Sequence, residues 1–359
     1  MRVKLEDVCV RGSSNLKQSD VIDFNGSYPI YGASGMIGKA DFYHQNAPYV
    51  SVIKDGAGIG RTAIHPAKSS VIGTMQYLIP KDNILPEYLY YVVKHMHLEK
   101  YYTGATIPHI YFKDYKNEEF NFDDIENQKK IVTILNKIQT IIDTRKKQLE
   151  KYDELIKARF VEMFGDPITN SRNLPVLALS ELGEFGRGVS KHRPRNAPEL
   201  LGGKYPLIQT GEIANSGLYI EKYENTYSEL GYKQSKMWQA GTLCITIAAN
   251  IAKTSILTFD ACFPDSVIGF CANDKTNNIF MHYWFSFFQE ILENQAPASA
   301  QKNINLHILN RLKVIVPPIE LQNQFADFVK QIDKSKFVVQ KSLDKTQLLF
   351  DSLMQEYFG

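Results

Sequence analysis

The strongest constraint on this chain is that it repeats itself. Displaced by about 194 residues, Ile125-Glu-Asn-Gln128 falls on Ile319-Glu-Leu-Gln322. Without a gap, Leu149, Lys151 and Leu155 then fall on Leu343, Lys345 and Leu349, and Glu162-Met-Phe-Gly165 on Glu356-Tyr-Phe-Gly359. A register held over such a length marks one structural unit used twice. Weaker echoes precede it. Tyr28-Pro29-Ile30 resembles Tyr205-Pro206-Leu207, Arg61-Thr62-Ala63-Ile64 resembles Lys253-Thr254-Ser255-Ile256, and His109-Ile110 aligns with Asn303-Ile304. The spacing of these echoes drifts, so the front parts of the two halves have diverged with insertions.

Periodicity identifies the repeated segment. Ile131, Leu135, Ile138, Ile142, Arg145, Leu149, Tyr152, Ile156, Arg159 and Met163 alternate in steps of four and three. Phe325, Val329, Ile332, Lys336, Val339, Leu343, Thr346, Phe350, Leu353 and Tyr357 do the same. That is a heptad seam, the pattern of a helix that packs along another. Asp123 and Asp124 stand where carboxylates favour a helix start, Pro317 and Pro318 occupy the equivalent place, and Gly165 supplies a stop. A helix over residues 126–163 would be about 57 Å long. Each helix could simply pack on its own globular domain. So narrow a seam favours the alternative, in which the two helices pair antiparallel and hold the front domains apart. The expected plan is a domain over 1–122, a long helix over 123–165, a second domain over 166–315 and a second helix over 316–359.

The front domains read as mixed α and β, an α+β chain overall. Strands are expected at Tyr49–Ile53, Thr62–Ile64, Met75–Ile79, Leu243–Ile247 and Thr254–Phe259, and helices at Pro86–Lys100 and Asn277–Glu293. In the second domain Arg187, Lys191, His192, Arg193 and Arg195 fall close together with no acid before Glu199. Arginine can grip guanine bidentately and lysine can neutralise phosphate, so this loop is a candidate DNA contact, although a solvated basic loop is an equal reading. Lys253 joins it. In the first domain Lys54 and Arg61 flank Gly56-Ala-Gly-Ile-Gly60, with Asp55 diluting the charge, and Lys39 is a further candidate. His109 and Asn303 hold equivalent positions before the helices. Gln209-Thr210 and Gln301-Lys-Asn303 could read bases.

Composition limits the alternatives. Apolar residues at 44% and charged residues at 22% exclude wholesale disorder. A net charge of +2 means that binding to a polyanion must come from local patches. Four cysteines without a C-x-x-C pair read as reduced thiols of a cytoplasmic protein, and no segment reads as a signal peptide or membrane span. Enzyme signatures are poor. Gly56-x-Gly58-x-Gly60 is followed by a β-like run and Pro66, so it reads as a hairpin turn and not as a phosphate loop. His95-x-His97 lacks further ligands for a metal. No G-x-S-x-G and no lysine-bearing phosphate loop occurs.

Two diverged domains, each followed by a copy of one long helix, resemble the specificity (S) subunit of type I restriction–modification enzymes. Tyr28-Pro-Ile-Tyr-Gly-Ala-Ser-Gly-Met-Ile-Gly38, Gly56-Ala-Gly-Ile-Gly-Arg61, Gly186-Arg-Gly-Val-Ser-Lys191 and Gly202-Gly-Lys-Tyr-Pro-Leu-Ile-Gln-Thr-Gly-Glu212 are similar to segments of its recognition domains. Ile125-Glu-x-Gln128 and Pro317-Pro-Ile-Glu-x-Gln322 are similar to its helix entries; the first copy departs from the pattern in having Phe122-Asp-Asp for the proline pair. The resemblance implies a pseudo-twofold, non-catalytic subunit whose domains each read half of a bipartite site in double-stranded DNA. The helix pair would set the spacer and dock two modification (methyltransferase) subunits. S-adenosylmethionine, and ATP with Mg, would then belong to partner subunits and no cofactor to this chain, and the presence of restriction subunits is left open. A self-contained DNA-modifying enzyme with an unrecognised site, and a coiled-coil scaffold with no role on DNA, are the competing readings.

Overall fold

The computed structural model describes residues 1–103, 108–248, 251–295 and 306–359. Two compact units divide the chain: Met1–Gln148 together with Val339–Gly359, and Leu149–Val338. Both unit boundaries fall in the middle of a long helix.

The first unit runs β1 (Arg2–Lys4), α1 (Leu5–Val8), β2 (Cys9–Ser13), β3 (Tyr28–Gly32), β4 (Gly35–Ala40), β5 (Tyr49–Ile53), β6 (Thr62–His65), β7 (Ser70–Val71), β8 (Met75–Pro80), α2 (Pro86–His95), α3 (Phe112–Tyr115) and β9 (Glu119–Asn121), then enters α4 (Ile125–Phe164). One sheet has the order β2-β8-β5-β6, a second β4-β3-β7, and β1 pairs with β9. β5, Tyr-Val-Ser-Val-Ile, is buried along its whole length, as a β-branched run in a central strand should be. Tyr49, Tyr77, Ile30 and Val71 form the core between the sheets. The helix expected over Pro86–Lys100 ends at His95. His97 takes φ 49°, a left-handed conformation that breaks the helix, and Leu98–Tyr101 forms a separate 3-10 turn.

The second unit repeats this plan with additions. β10 (Val176–Ala178), β11 (Gly183–Arg187), β12 (Leu201–Leu207), α5 (Thr210–Asn215), β13 (Tyr219–Ile220), β14 (Asn225–Tyr227), α6 (Glu229–Lys233), β15 (Met237–Trp238), β16 (Leu243–Thr246), β17 (Thr254–Leu257), β18 (Ala261–Cys262), β19 (Val267–Ala272), α7 (Asn278–Gln295), α8 (Leu306–Asn310) and β20 (Lys313–Ile315) lead into α9 (Ile319–Phe358). Its main sheet, β11-β19-β16-β17-β13, contains the four-strand order of the first unit and adds β13 in parallel at the edge. The parallel contact of β3 with β7 recurs as β12 with β18, and the β1–β9 ribbon as β10–β20. The extra elements between β12 and β16 explain why the sequence echoes lose register. Surface insertions of this kind carry little loop-closure cost.

Within each unit the helix segments run antiparallel. In the second unit Asp153 meets Lys336 at 2.6 Å, while Phe160 and Phe164, further along α4, meet Phe325, earlier in α9. In the first unit α2 reports the same order. Tyr88 touches Asp123 and Phe358, Tyr91 touches Asn136 and Phe350, and Arg145 Nη1 donates to Ser342 O at 2.8 Å. Along the seam Ile131, Leu135, Ile138, Ile142, Ile156, Phe325, Val329, Leu343 and Phe350 are buried, and Leu149, Ile332, Val339 and Leu353 are half-buried. Val132, Phe160, Phe164, Met354 and Phe358 are buried beside them, widening the stripe beyond a two-helix seam. The reason is that the helices also close the head cores: Phe160, Phe164 and Phe325 pack with Phe280, Tyr283 and Ile268. Pairing and packing on a head, alternatives in the sequence, occur together in each unit.

The repeated Ile-Glu-x-Gln has a physical role. Gln128 and Gln322 have no exposed surface. Gln128 Oε1 accepts from Leu85 N at the start of α2 (2.9 Å), and Nε2 donates to Asn83 O and Asp123 O. Gln322 Oε1 accepts from Thr276 Oγ1 (2.8 Å) and Asn277 N (3.3 Å) just before α7, and Nε2 donates to Lys275 O and Pro317 O. Each glutamine therefore ties the N-terminus of a head helix to the N-terminus of a long one, satisfying groups that helix ends leave unpaired.

Two largely desolvated histidines, His65 buried and His282 partly so, give the fold a pH dependence. Burial pushes the pKa of His65, whose Nε2 pairs with Ser51 Oγ at 2.7 Å, down to about 4. Burial does the same to His282, whose Nδ1 pairs with Thr254 Oγ1 at 3.0 Å. Both stay neutral in the native state, while the unfolded chain takes up protons below a pKa of about 6.5. Stability is therefore full above that value and is lost as pH falls toward about 4, by up to roughly 3 kcal/mol per histidine. Denaturant unfolding at neutral and mildly acid pH should show this slope, and His282→Gln should reduce it.

Candidate nucleic-acid interface

Hydrogen-bond register places the candidate residues at one end of each main sheet. In the first unit Ser13, Gln76, Val52 and Thr62 face one another across β2, β8, β5 and β6. In the second unit Arg187, Ile268, Ile245 and Thr254 form the equivalent row across β11, β19, β16 and β17. Loops leaving this row carry Lys54 and Arg61 in one unit and Lys191–Arg195 and Lys253 in the other. Arg61 and Lys253 each stand immediately before the matching strand, β6 or β17.

The first unit's site is built on the β5–β6 hairpin, residues 54–61. Gly56, Gly58 and Gly60 all have positive φ, and a Cβ on Gly60 would lie 2.5 Å from Glu99 N, so the turn demands glycine there. Residues 108–110 run along this loop: Gly56 N donates to Pro108 O, and Ile110 N to Lys54 O. His109 is thereby brought against Asp55, which also faces Lys54 at 3.9 Å. Burial, then the charge of Arg11, holds the Lys54 pKa below the usual lysine range. Tyr111, 49% exposed, lies against His109 with the rings tilted and with Lys113 Nζ over the Tyr111 ring at 5.1 Å. Lysine and arginine around a half-exposed aromatic suit a polyanion carrying flat bases. Arg11 escaped sequence reasoning because it lies some 100 residues from the others, and Tyr111 and Lys113, although close to His109, because they form no motif. Lys39 is not part of this group; it lies exposed on β4, opposite Pro29, in the other sheet.

The second unit's site differs from its sequence reading. The segment after Arg187 reads as a basic loop without an acid, yet the fold brings Asp265 into it from the turn before β19. Arg195 Nη2 lies 2.5 Å from Asp265 Oδ1, Arg193 Nη2 3.6 Å from Oδ2, and Arg187 Nε donates to the Asp265 carbonyl at 3.0 Å. Arg193 Nη1 also donates to Ser190 O (2.6 Å) and His192 O (2.8 Å). Gln234 Oε1 accepts from the amides of both Lys191 and His192, and His192 Nε2 stands 4.0 Å from Glu199. The loop is thus braced on three sides and not free in solvent. Ser190 Oγ, His192 Nδ1 and Gln234 Nε2 are buried without a hydrogen-bond partner within the protein. Beside the arginines opens a cleft of about 250 Å³ lined by Arg195, Asn196, Gln209, Thr210, Tyr227 and Ser266 among others. It unites Arg195 with the Gln209-Thr210 pair. Lys253 reaches the same sheet end but belongs to another loop, its amide held by Thr246 Oγ1 at 3.1 Å. Asn303 lies outside the described residues, so its equivalence to His109 has no geometric counterpart here.

Features suited to catalysis are scarce among the described residues. No group of three or more His, Cys, Asp and Glu could hold a metal ion, and no helix is long and apolar enough to cross a membrane. Cys9, Cys244 and Cys262 are buried, and burial raises their thiol pKa values, that of Cys9 to about 12. Such thiols are poor nucleophiles.

Comparison with known proteins agrees with this geometry. The family described as Type I restriction modification DNA specificity domain matches residues 1–151 and 176–345. The type I restriction enzyme MjaVIII specificity subunit of Methanocaldococcus jannaschii is 22% identical over 316 residues, spanning 79% of this chain and 72% of that protein. The MjaIX specificity subunit of the same organism is 31% identical over 198 residues, 50% of this chain and 45% of that one. Among solved structures, the S subunit of a type I restriction–modification system from M. genitalium is 16% identical. It superposes with a TM-score of 0.64 over 100% of this chain and 96% of its own, a likeness of fold.

Proposed function

Because this chain belongs to the type I restriction–modification DNA specificity family, and is a DNA-recognising specificity subunit of that kind, we propose that its two units read the two halves of one bipartite, asymmetric site. The observation that carries this reading is the row of equivalent strand ends: two sheets that share a four-strand order present different basic loops at the same end. Equal scaffolds with unequal contact sets are what unequal half-sites require, and they free the site from palindromy. Continuity supports a spacing role for the helices. α4 and α9 each run 40 residues, about 60 Å at 1.5 Å per residue, and each contributes one half to either unit.

The chain acts without chemistry of its own and depends on methyltransferase (modification) subunits that bring S-adenosylmethionine; two such subunits suit a duplicated scaffold. Phe337, Val338 and Leu348 on α9 stand out in solvent, 64–71% exposed, as residues awaiting a protein partner would. Purified chain, labelled methyl donor and DNA should give no transfer until modification subunits are added. Methylated-base mapping in the native host should then yield a two-part motif with a fixed gap that disappears when the gene is deleted. Transfer by the chain alone, or a single contiguous palindrome, would overturn the reading.

A further inference from the structure

We propose that Asp265, an acid in the middle of a basic DNA-contact loop, is a positioning residue for base reading by the second unit, an inference that rests on the function above. Three arginines converge on it. Arg195 and Arg193 approach its two carboxylate oxygens at 2.5 and 3.6 Å, and Arg187 binds its carbonyl at 3.0 Å. Oδ1 is shut off from solvent, so only Oδ2 of this carboxylate is open to a ligand. The guanidinium groups are in contrast about half exposed, and Arg195 borders the cleft that holds Asn196, Gln209 and Thr210.

The chemistry of the arrangement is one of orientation. A guanidinium reads guanine only when its planar fork is presented edge-on, and a long unrestrained side chain in water occupies many rotamers. Guanidiniums crowded without an anion also repel one another. A single carboxylate among them offsets that repulsion and, through ion pairs with Arg195 and Arg193, restricts the positions those two guanidiniums take, while the backbone carbonyl of the same residue holds Arg187. The cost falls on affinity. An acid next to a polyanion weakens attraction to the phosphates whatever the sequence. A residue that lowers indiscriminate binding while aligning the reading groups promotes selectivity. Exposed ion pairs of this kind add little to folding stability, so removing the charge should leave the unit folded.

The test uses the chain assembled with its own modification subunits, assayed by labelled methyl transfer. Substrates are DNA carrying the mapped site and DNA altered in the half read by the second unit. Asp265→Asn keeps size and removes charge. The ratio of methylation on mapped over altered DNA should fall about tenfold, the worth of one misaligned base contact. Binding to unrelated DNA should rise about two- to threefold, as expected when one repelled phosphate contact is relieved. Asp265→Glu should retain most of the ratio. Effects of opposite sign are what a merely structural role would not produce: a ratio and an unrelated-DNA affinity that fall together with the melting temperature would overturn the proposal. So would an unchanged ratio in Asp265→Asn where the wild-type complex is selective. A wild-type complex without any site preference would instead overturn the reading on which the proposal rests.

Discussion

Gln322→Leu is expected to destabilise the protein by about 3–5 kcal/mol, although leucine suits a helix and nearly matches glutamine in size. The side chain has no exposed surface and makes four hydrogen bonds, two donated and two accepted. Leucine would leave the buried Thr276 Oγ1 and Pro317 O, and the part-buried Asn277 N and Lys275 O, without these partners. Each such loss costs about 1–3 kcal/mol, part of it recovered through relaxation or entry of water. Gln128→Leu strands three groups and should cost less, about 2–4 kcal/mol. Denaturant titration measures both, and a midpoint unmoved by Gln322→Leu would show that the glutamine does not clamp the head helix. The expected loss is a large share of the 5–15 kcal/mol typical of a folded domain. This one substitution could therefore leave the second unit largely unfolded at physiological temperature.

The same residues mark where the sequence is legible and where it is not. The Ile-Glu-x-Gln copies and the seam are local regularities that self-comparison and periodicity expose, whereas the antiparallel pairing stood in the sequence only as one of two alternatives. That the glutamine is buried is not written locally. A polar residue in the first turn of a helix ordinarily faces water, and only the docking of Leu85–Pro86 or Thr276–Asn277 over it removes the solvent. The heads follow the same rule. Tyr28-Pro-Ile and Arg61-Thr-Ala-Ile survive as echoes because they fall on matching strands, β3 with β12 and β6 with β17, where sheet packing restricts change. The identical strand order around them is invisible in the sequence, since loops of different length separate the strands. In the site, the basic composition of 187–195 is local and legible, whereas Asp265 arrives from some 70 residues away and Arg11 and Tyr111 from opposite ends of the first head.

Removing the two arginines nearest Asp265, Arg193→Ala together with Arg195→Ala, should lower methylation of the mapped site by the assembled complex about 100-fold. A good guanidinium–base contact is worth about 1–3 kcal/mol of discrimination, and tenfold in rate corresponds to about 1.4 kcal/mol, so two contacts of moderate quality account for the figure. Unlike Asp265→Asn, this change should also weaken binding to unrelated DNA. The slope of log affinity against log salt should become shallower by about two, one for each cation that met a phosphate. Two controls isolate the effect. Lys39→Ala, on β4 of the first unit and away from the loop cluster, should stay within about twofold of wild type, since isolated surface changes have small effects. Co-purification with modification subunits should be unchanged for the double variant, because Arg193 and Arg195 lie on a head loop and not on α4 or α9. Full methylation by the double variant would remove this loop from the reading surface and shift the search to the Lys253 loop at the same sheet end. Loss of assembly would instead make the arginines part of the scaffold. The two mutant classes together separate alignment from attraction: one removes the anion and loosens selection, the other removes the cations and abolishes both.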